Sequence, residues 1–117
     1  MREVKRSECA VLHLGMKRHW FRMIESGIKH VEFREAKPYW NTRIQNWVQK
    51  MHEGKLPVIE FQCGYGRFSP RMACIAGRGE GVIFKYRGEK WPVEHKELGE
   101  FQKARYVLLI GEKVVLK

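Results

Sequence analysis

The chain contains no aspartate, so all of its 13 acidic residues are glutamates. Carboxylate chemistry must therefore run through Glu, and a Ser–His–Asp relay is excluded in its usual form. Cysteine is scarce and odd in number. Cys9, Cys63 and Cys74 stand at wide, irregular spacing with no Cys-x-x-Cys pair, which fits neither a disulfide framework nor a zinc knuckle. Cys63 and Cys74 lie inside apolar stretches and read as small core residues. The five histidines are scattered, and neither Cys9-x3-His13 nor His13-x5-His19 is a ligand spacing. No metal and no cofactor is expected. No apolar run approaches the ~20 residues of a membrane span. Nothing apolar enough for a signal peptide follows Met1-Arg2-Glu3-Val4-Lys5-Arg6. The expectation is a cytoplasmic protein with no membrane partner. Gly77-x-Gly79-x-Gly81 lacks the Lys and the following helix of a phosphate-binding loop, and reads as a flexible turn.

What the sequence has in excess is positive charge. Its 23 Lys and Arg residues outweigh the glutamates and give a net charge of +10 and a pI of about 9.8. A folded domain this basic repels itself, and the commonest use of such charge is a phosphate backbone; the bland alternative is a solubilising coat. The length of 117 residues leaves room for one domain and one core. At 44% hydrophobic and 31% charged, the composition is that of a globular fold. A monomer is expected.

Periodicity assigns the elements. Residues 1–7 are polar and read as a flexible N-terminal arm, leaving 8–117 as a single domain. Ala10 to Leu14 reads as a strand ended by Gly15. Met16 to Glu25 reads as a helix with Trp20, Phe21 and Ile24 on one face and Lys17, Arg18, Arg22 and Glu25 on the other, stopped by Ser26-Gly27. His30 to Ala36 alternates, with Val31 and Phe33 on one side and His30, Glu32 and Arg34 on the other. Pro38 opens a second helix at its first position, and Trp40, Ile44, Trp47, Val48 and Met51 form its apolar stripe up to Gly54. Strands then follow over Leu56–Gln62, Met72–Ala76, Val82–Phe84, Tyr106–Ile110 and Val114–Leu116, punctuated by glycines at 64, 66, 77, 79, 81, 88, 99 and 111. A further helical turn is expected within Lys96–Arg105. Short strands between Gly turns suggest a closed or nearly closed barrel. The predicted class is α+β: a small β-barrel with two flanking helices near the N-terminus.

The stretch Ser26-Gly27-Ile28-Lys29-His30-Val31-Glu32-Phe33-Arg34 resembles the Gly-x-Lys-x-x-Glu-x-Arg signature of the ASCH family. Glu35-Ala36-Lys37-Pro38-Tyr39-Trp40 is similar to the extension of its small stand-alone bacterial and phage members, and Gly64-Tyr65 to a late Gly-Tyr near a barrel strand. The resemblance covers about residues 10–45. It implies a PUA-like barrel whose helices flank a cleft, and RNA as the ligand of that cleft. One enzymatic branch of the family hydrolyses the acetyl amide of N4-acetylcytidine with a Lys, a Thr and a Glu. Its Lys corresponds to Lys29, but its Thr position is Glu32 here, and a carboxylate is a poor substitute for a hydroxyl nucleophile.

The candidate site follows from residue chemistry and from this resemblance. Glu32 and Arg34 are two apart on a strand and project from one side, with Lys29 at the strand entry. As a site, Arg34 forks onto a phosphate or base edge, Lys29 adds a point charge, and Glu32 accepts from an amine or a ribose hydroxyl. As mere surface, the three are a solvated ion pair worth ~0–1 kcal/mol. Lys37, Tyr39 and Arg43 interleave charge with an aromatic ring, and Tyr65 and Arg67 repeat that pattern between glycines; stacking bases and tracking phosphates need such a mixture. The Gly64–Phe68 tract also reads as a hairpin turn with an aromatic plug. Lys17 and Arg18 open the first helix, where the dipole disfavours cations; a phosphate there would meet both, and a solvated face is the plain alternative.

Three functions compete. The first is an RNA- or nucleic-acid-binding module using Lys17, Arg18, Lys29, Glu32, Arg34, Lys37, Tyr39, Arg43, Tyr65 and Arg67. The second is a small hydrolase of a modified nucleoside or of RNA, with Lys29 and Glu32 as its acid–base pair. The third is a protein-interaction module using exposed aromatics.

Overall fold

A computed structural model of the chain describes residues 1–77, 83–86 and 105–117. The fold is α+β: a strongly curled mixed sheet forms a half-barrel, and two helices among the described residues pack on it. The strands are β1 (Glu3–Val4), β2 (Cys9–Met16), β3 (Val31–Glu35), β4 (Leu56–Cys63), β5 (Arg71–Ala76), β6 (Ile83–Tyr86) and β7 (Arg105–Leu116). The helices are α1 (Arg18–Glu25) and α2 (Pro38–His52), both between β2 and β4. The order across the sheet is β1-β7-β5-β4-β2, with β3 and β6 also paired to β7. β2 and β4 run parallel, so the chain between them must cross over, and α1, β3 and α2 make that crossover.

Local chemistry explains both helices. Pro38 sits in the first turn of α2, where its missing N–H costs nothing. Ile44 and Trp47 are buried, with Trp40, Val48 and Met51 packed beside them, as the stripe predicts. Each helix stops at a glycine with positive φ, Gly27 at 81° and Gly54 at 92°.

The main core lies between the helices and the inner face of the sheet. Ala10, Leu12, Leu14 and Met16 of β2 meet Ile59 and Phe61 of β4, Leu108 and Ile110 of β7, and Phe21 and Ile24 of α1. Cys74 belongs to this core, and burial pushes its thiol up to about 11, partly offset by Lys113. Two bonds fix α2 to the sheet: Trp47 Nε1–H donates to the Ala10 carbonyl at 2.8 Å, and the Tyr106 hydroxyl donates to Asn41 Oδ1 at 2.5 Å. A smaller cluster of Val4, Cys9, Val58, Ala73 and Val114 covers the opposite face.

Three expectations change. Residues 1–7 are not a loose arm. Glu3 and Val4 pair in parallel with Val115 and Leu116, Val4 is buried, and Arg6–Glu8 form a 3-10 turn leading into β2. Val4 joins the second apolar cluster, a contact that no local pattern announces. Gly15 does not end its strand, and Gly111 is not a turn. Residues 106–110 and 114–116 are one continuous strand, β7. A Cβ on Gly111 would lie 2.6 Å from the Gly77 carbonyl and 2.8 Å from that of Ile75, so the glycine permits close backbone approach where the β5–β7 register shifts. The expected helical turn at 96–105 and the glycines at 79, 81, 88 and 99 fall outside the described residues, apart from Arg105, which begins β7.

Candidate nucleic-acid interface

β3 pairs antiparallel with β7, and the register decides which way its charges face. Val31 and Phe33 stand opposite Leu109 and Val107 and form a small apolar cluster with them. Glu32 and Arg34 stand opposite Leu108 and Tyr106, which belong to or pack on the main core. The alternation of the strand is as expected, but its charged side faces inward, at the rim of the core.

There the three signature charges form one enclosed cluster. Lys29 Nζ lies 3.4 Å from both carboxylate oxygens of Glu32, and Arg34 Nη1 lies 3.2 Å from Glu32 Oε1. The side chains are only 13%, 8% and 16% exposed in the order Lys29, Glu32, Arg34. This is not the solvated pair that surface placement would give. Glu32 Oε1 also accepts the Phe33 N–H at 2.8 Å. Arg34 donates to the Phe33 carbonyl at 2.7 Å and to the Gly15 carbonyl at 3.2 Å, and its guanidinium stacks 5.1 Å from the Trp40 ring. Its donors are thus largely committed within the protein. Arg34 ties β3 to β2 and α2, a different task from forking onto a phosphate.

Aromatic rings border the cluster. Lys29 Nζ sits 4.5 Å from the Trp20 ring centre. Trp20 reads from periodicity as part of the buried face of α1, but it is 43% exposed. It joins the candidate set as a residue that pattern reasoning missed. Tyr39 is exposed, contacts Trp40 edge-on at 4.9 Å, and carries the Arg43 guanidinium 3.5 Å above its ring. On the other side Tyr65 lies against Gly15, whose backbone carbonyl Arg34 holds. A continuous path of contacts therefore runs from Trp20 through Lys29, Glu32 and Arg34 to Trp40, Tyr39 and Arg43, and through Gly15 to Tyr65.

The remaining predicted residues lie at the margins. Lys37 pairs with Glu35 at 3.2 Å on the surface. Lys17 and Arg18 are exposed at the start of α1, and among the described residues neither has an ion-pair partner. Arg67 lies 5.6 Å from the Phe68 ring on an exposed loop. No group of three or more His, Cys, Asp or Glu side chains placed to hold a metal occurs among the described residues.

A second charged cluster, absent from the expectations, sits on the opposite face of the sheet. The buried Glu60 of β4 takes a two-pronged contact from Arg6, 2.7 and 3.4 Å, with His13 Nδ1 at 3.5 Å and Arg71 Nη1 at 3.8 Å. Burial by itself would raise the Glu60 pKa. The hydrogen bond and charge of Arg6, with His13 and Arg71, outweigh it and hold the carboxyl below its ordinary value. The same hydrogen bond raises Arg6. The cluster clamps the segment before β2 onto the sheet.

No known family model, no curated protein and no solved structure matches this chain. The ASCH resemblance therefore rests on the signature residues themselves. Among the described residues no helix is long and apolar enough to cross a membrane.

Proposed function

We propose that this chain is an ASCH-type, PUA-like domain that binds RNA or another nucleic acid at the rim around Lys29, Glu32 and Arg34. The observation that carries the reading is the contact path just described, which gathers the exposed rings of Trp20, Tyr39 and Tyr65 about one enclosed ionic cluster in a chain of net charge +10. In this reading the labour is divided. Lys29, Glu32 and Arg34 hold α1, β2, β3 and α2 in register. Lys17, Arg18, Lys37, Arg43 and Arg67 meet phosphates, and the rings stack bases.

The test is anisotropy of labelled RNA and DNA oligonucleotides titrated at several salt concentrations. Each phosphate contact releases a counterion, so log K should fall linearly with log salt with a slope of roughly −0.7 to −0.9 per contact. Reversing the exposed cations in the triple variant Lys17→Glu, Arg18→Glu, Arg67→Glu should reduce the slope by roughly 2 to 3 and leave the fold intact. An unchanged slope and affinity would sink the assignment.

A second reading is favoured by one observation. Lys29 Nζ touches both oxygens of a carboxylate in an enclosed setting beside Trp20. That arrangement suits a small hydrolase of a modified nucleoside, in which one of the pair takes a proton from the water that bonds to the acetyl carbon and the other gives a proton to the cytosine amine that leaves. Release of acetate from N4-acetylcytidine, lost in Lys29→Met, would establish it. No turnover at high protein concentration, with acetylated cytidine or with labelled RNA, would remove it.

A further inference from the structure

We propose that the loop 64–70 between β4 and β5 is a stacking platform for unpaired bases, so that the domain selects single-stranded over duplex nucleic acid. This inference rests on the nucleic-acid reading and deepens it by naming the form of the ligand.

Tyr65 and Phe68 are 88% and 91% exposed, and both lie on this one loop. Exposing two large rings is unfavourable, and single exposed apolar side chains are ordinary where paired ones on a fixed loop are not. The loop is fixed. The Gly64 N–H donates to the Met16 carbonyl at 2.9 Å, and the Cys63 N–H to that of Pro70 at 2.9 Å. Inside the loop the Gly66 N–H donates to Ser69 Oγ at 2.9 Å, and the Ser69 N–H returns to the Gly66 carbonyl at 3.1 Å. The buried side chain of Gln62 reaches up to the same carbonyl at 3.0 Å. The rings are thus presented on a preset frame, which lowers the ordering cost of any ligand that meets them.

Tyr65 is supported from beneath. A Cβ at Gly15 would come within 2.7 Å of its ring, so the bare backbone of Gly15 is what the ring lies against in this position. The chemistry around the rings selects the partner. Arg67 accompanies Phe68, and the bond from Gly64 to Met16 sets the loop beside Lys17 and Arg18. Rings interleaved with cations suit a ligand that alternates flat π-faces with negative charge. A single-stranded nucleic acid has that form, whereas a duplex buries its base faces in its own stack.

The experiment compares a labelled single strand with a hairpin duplex of equal phosphate number, using the full chain and the variant Tyr65→Ala, Phe68→Ala. Wild type should bind the single strand more tightly than the hairpin. The double variant should lose roughly 30-fold or more on the single strand and less than about twofold on the hairpin, at an unchanged melting temperature. Tyr65→Phe should retain binding, since the ring remains. Phe68→Ala alone should give an intermediate loss, and it keeps the Tyr65 contact with Gly15 in place. A 2-aminopurine in the strand should be quenched by wild type and not by the double variant. Equal losses on both ligands, or none on the single strand, overturn the inference while leaving nucleic-acid binding in place. Wild type that binds neither ligand overturns the underlying reading instead. Sedimentation with anionic vesicles, lost in the double variant and unaccompanied by oligonucleotide binding, would assign the loop to a lipid surface and overturn both.

Discussion

Glu32→Gln tests the enclosed cluster most directly. The substitution keeps the shape of the side chain and an oxygen that accepts the Phe33 N–H, and it removes the negative charge and turns the second oxygen, which Lys29 also contacts, into an N–H donor. Lys29 and Arg34 are then left facing each other, 13% and 16% exposed, with no carboxylate between them. Removing one partner of a buried ion pair costs about 3–5 kcal/mol. Part is returned here, because Lys29 keeps the Trp20 face and Arg34 keeps its two backbone carbonyls. The expected loss is about 3 kcal/mol, a large share of a stability on the order of 5–15 kcal/mol. With a urea slope near ~1.5 kcal/mol per molar, the unfolding midpoint should fall by about 2 M at unchanged slope. The control is Glu3→Gln. Its contact with Lys117 is shorter, at 2.8 Å, but both side chains are about 60% exposed. It should cost no more than about 0.5 kcal/mol, because burial rather than distance sets the value of an ion pair. Adding Lys29→Met to Glu32→Gln should recover part of the loss. A midpoint shift for Glu32→Gln no larger than that of the control would refute the enclosure and return the cluster to the status of a solvated pair.

Two further outcomes follow from the same geometry. The Glu60 carboxyl is held below its ordinary pKa, so its contribution is fully present above the unfolded value of about 4.3 and is lost as pH falls through the folded value. Thermal melts from pH 7 to pH 3 should show wild type losing stability on the acid side faster than Glu60→Gln, and parallel profiles would contradict the Arg6 clamp. Gly111→Ala pushes a Cβ against two backbone carbonyls that cannot rotate away. It should cost about 2–3 kcal/mol, against about 1 kcal/mol for Gly54→Ala, where φ is 92° but the space is open. Equal costs for the two would mean that β5 and β7 do not approach as closely as described.

What the sequence made legible was whatever is decided locally. Both helices followed from three- and four-residue spacing, from Pro38 and from the glycines at 27 and 54, since capping and φ preference act within one turn. β3 and its alternation were equally readable. Glycine within strands misled. At position 111 the reason for glycine is a neighbour distant in sequence, the β5 backbone, and at position 15 the Tyr65 ring lies over the glycine, and a local pattern cannot separate such glycines from a turn. Glu60 had a partial signal, because it alternates with Ile59 and Phe61 and so belongs on the face away from the helices. Nothing near it announces Arg6, which lies 54 positions away. The same limit applies to Glu32. Period two gave its side of the strand, but only the pairing with Leu108 turned that side toward the core.

This placement changes what the signature spacing means. Gly27 turns the chain out of α1 with positive φ, Lys29 enters β3 beside Trp20, and Glu32 and Arg34 share the inward side two residues apart. The pattern Gly-x-Lys-x-x-Glu-x-Arg is thus the spacing needed to build one ionic knot joining α1, β3, β2 and α2. Arg34 alone reaches three of those elements through Phe33, Gly15 and Trp40. A motif with so much architectural work speaks first to the fold, and in the proposed function the ligand is met by side chains outside it, at Lys17, Arg18, Tyr39, Arg43, Tyr65 and Arg67. The two roles separate experimentally. Changes within the knot should lower stability and binding together, whereas changes at the rim should lower binding alone. A knot variant that binds normally while destabilised would assign the signature to the fold entirely.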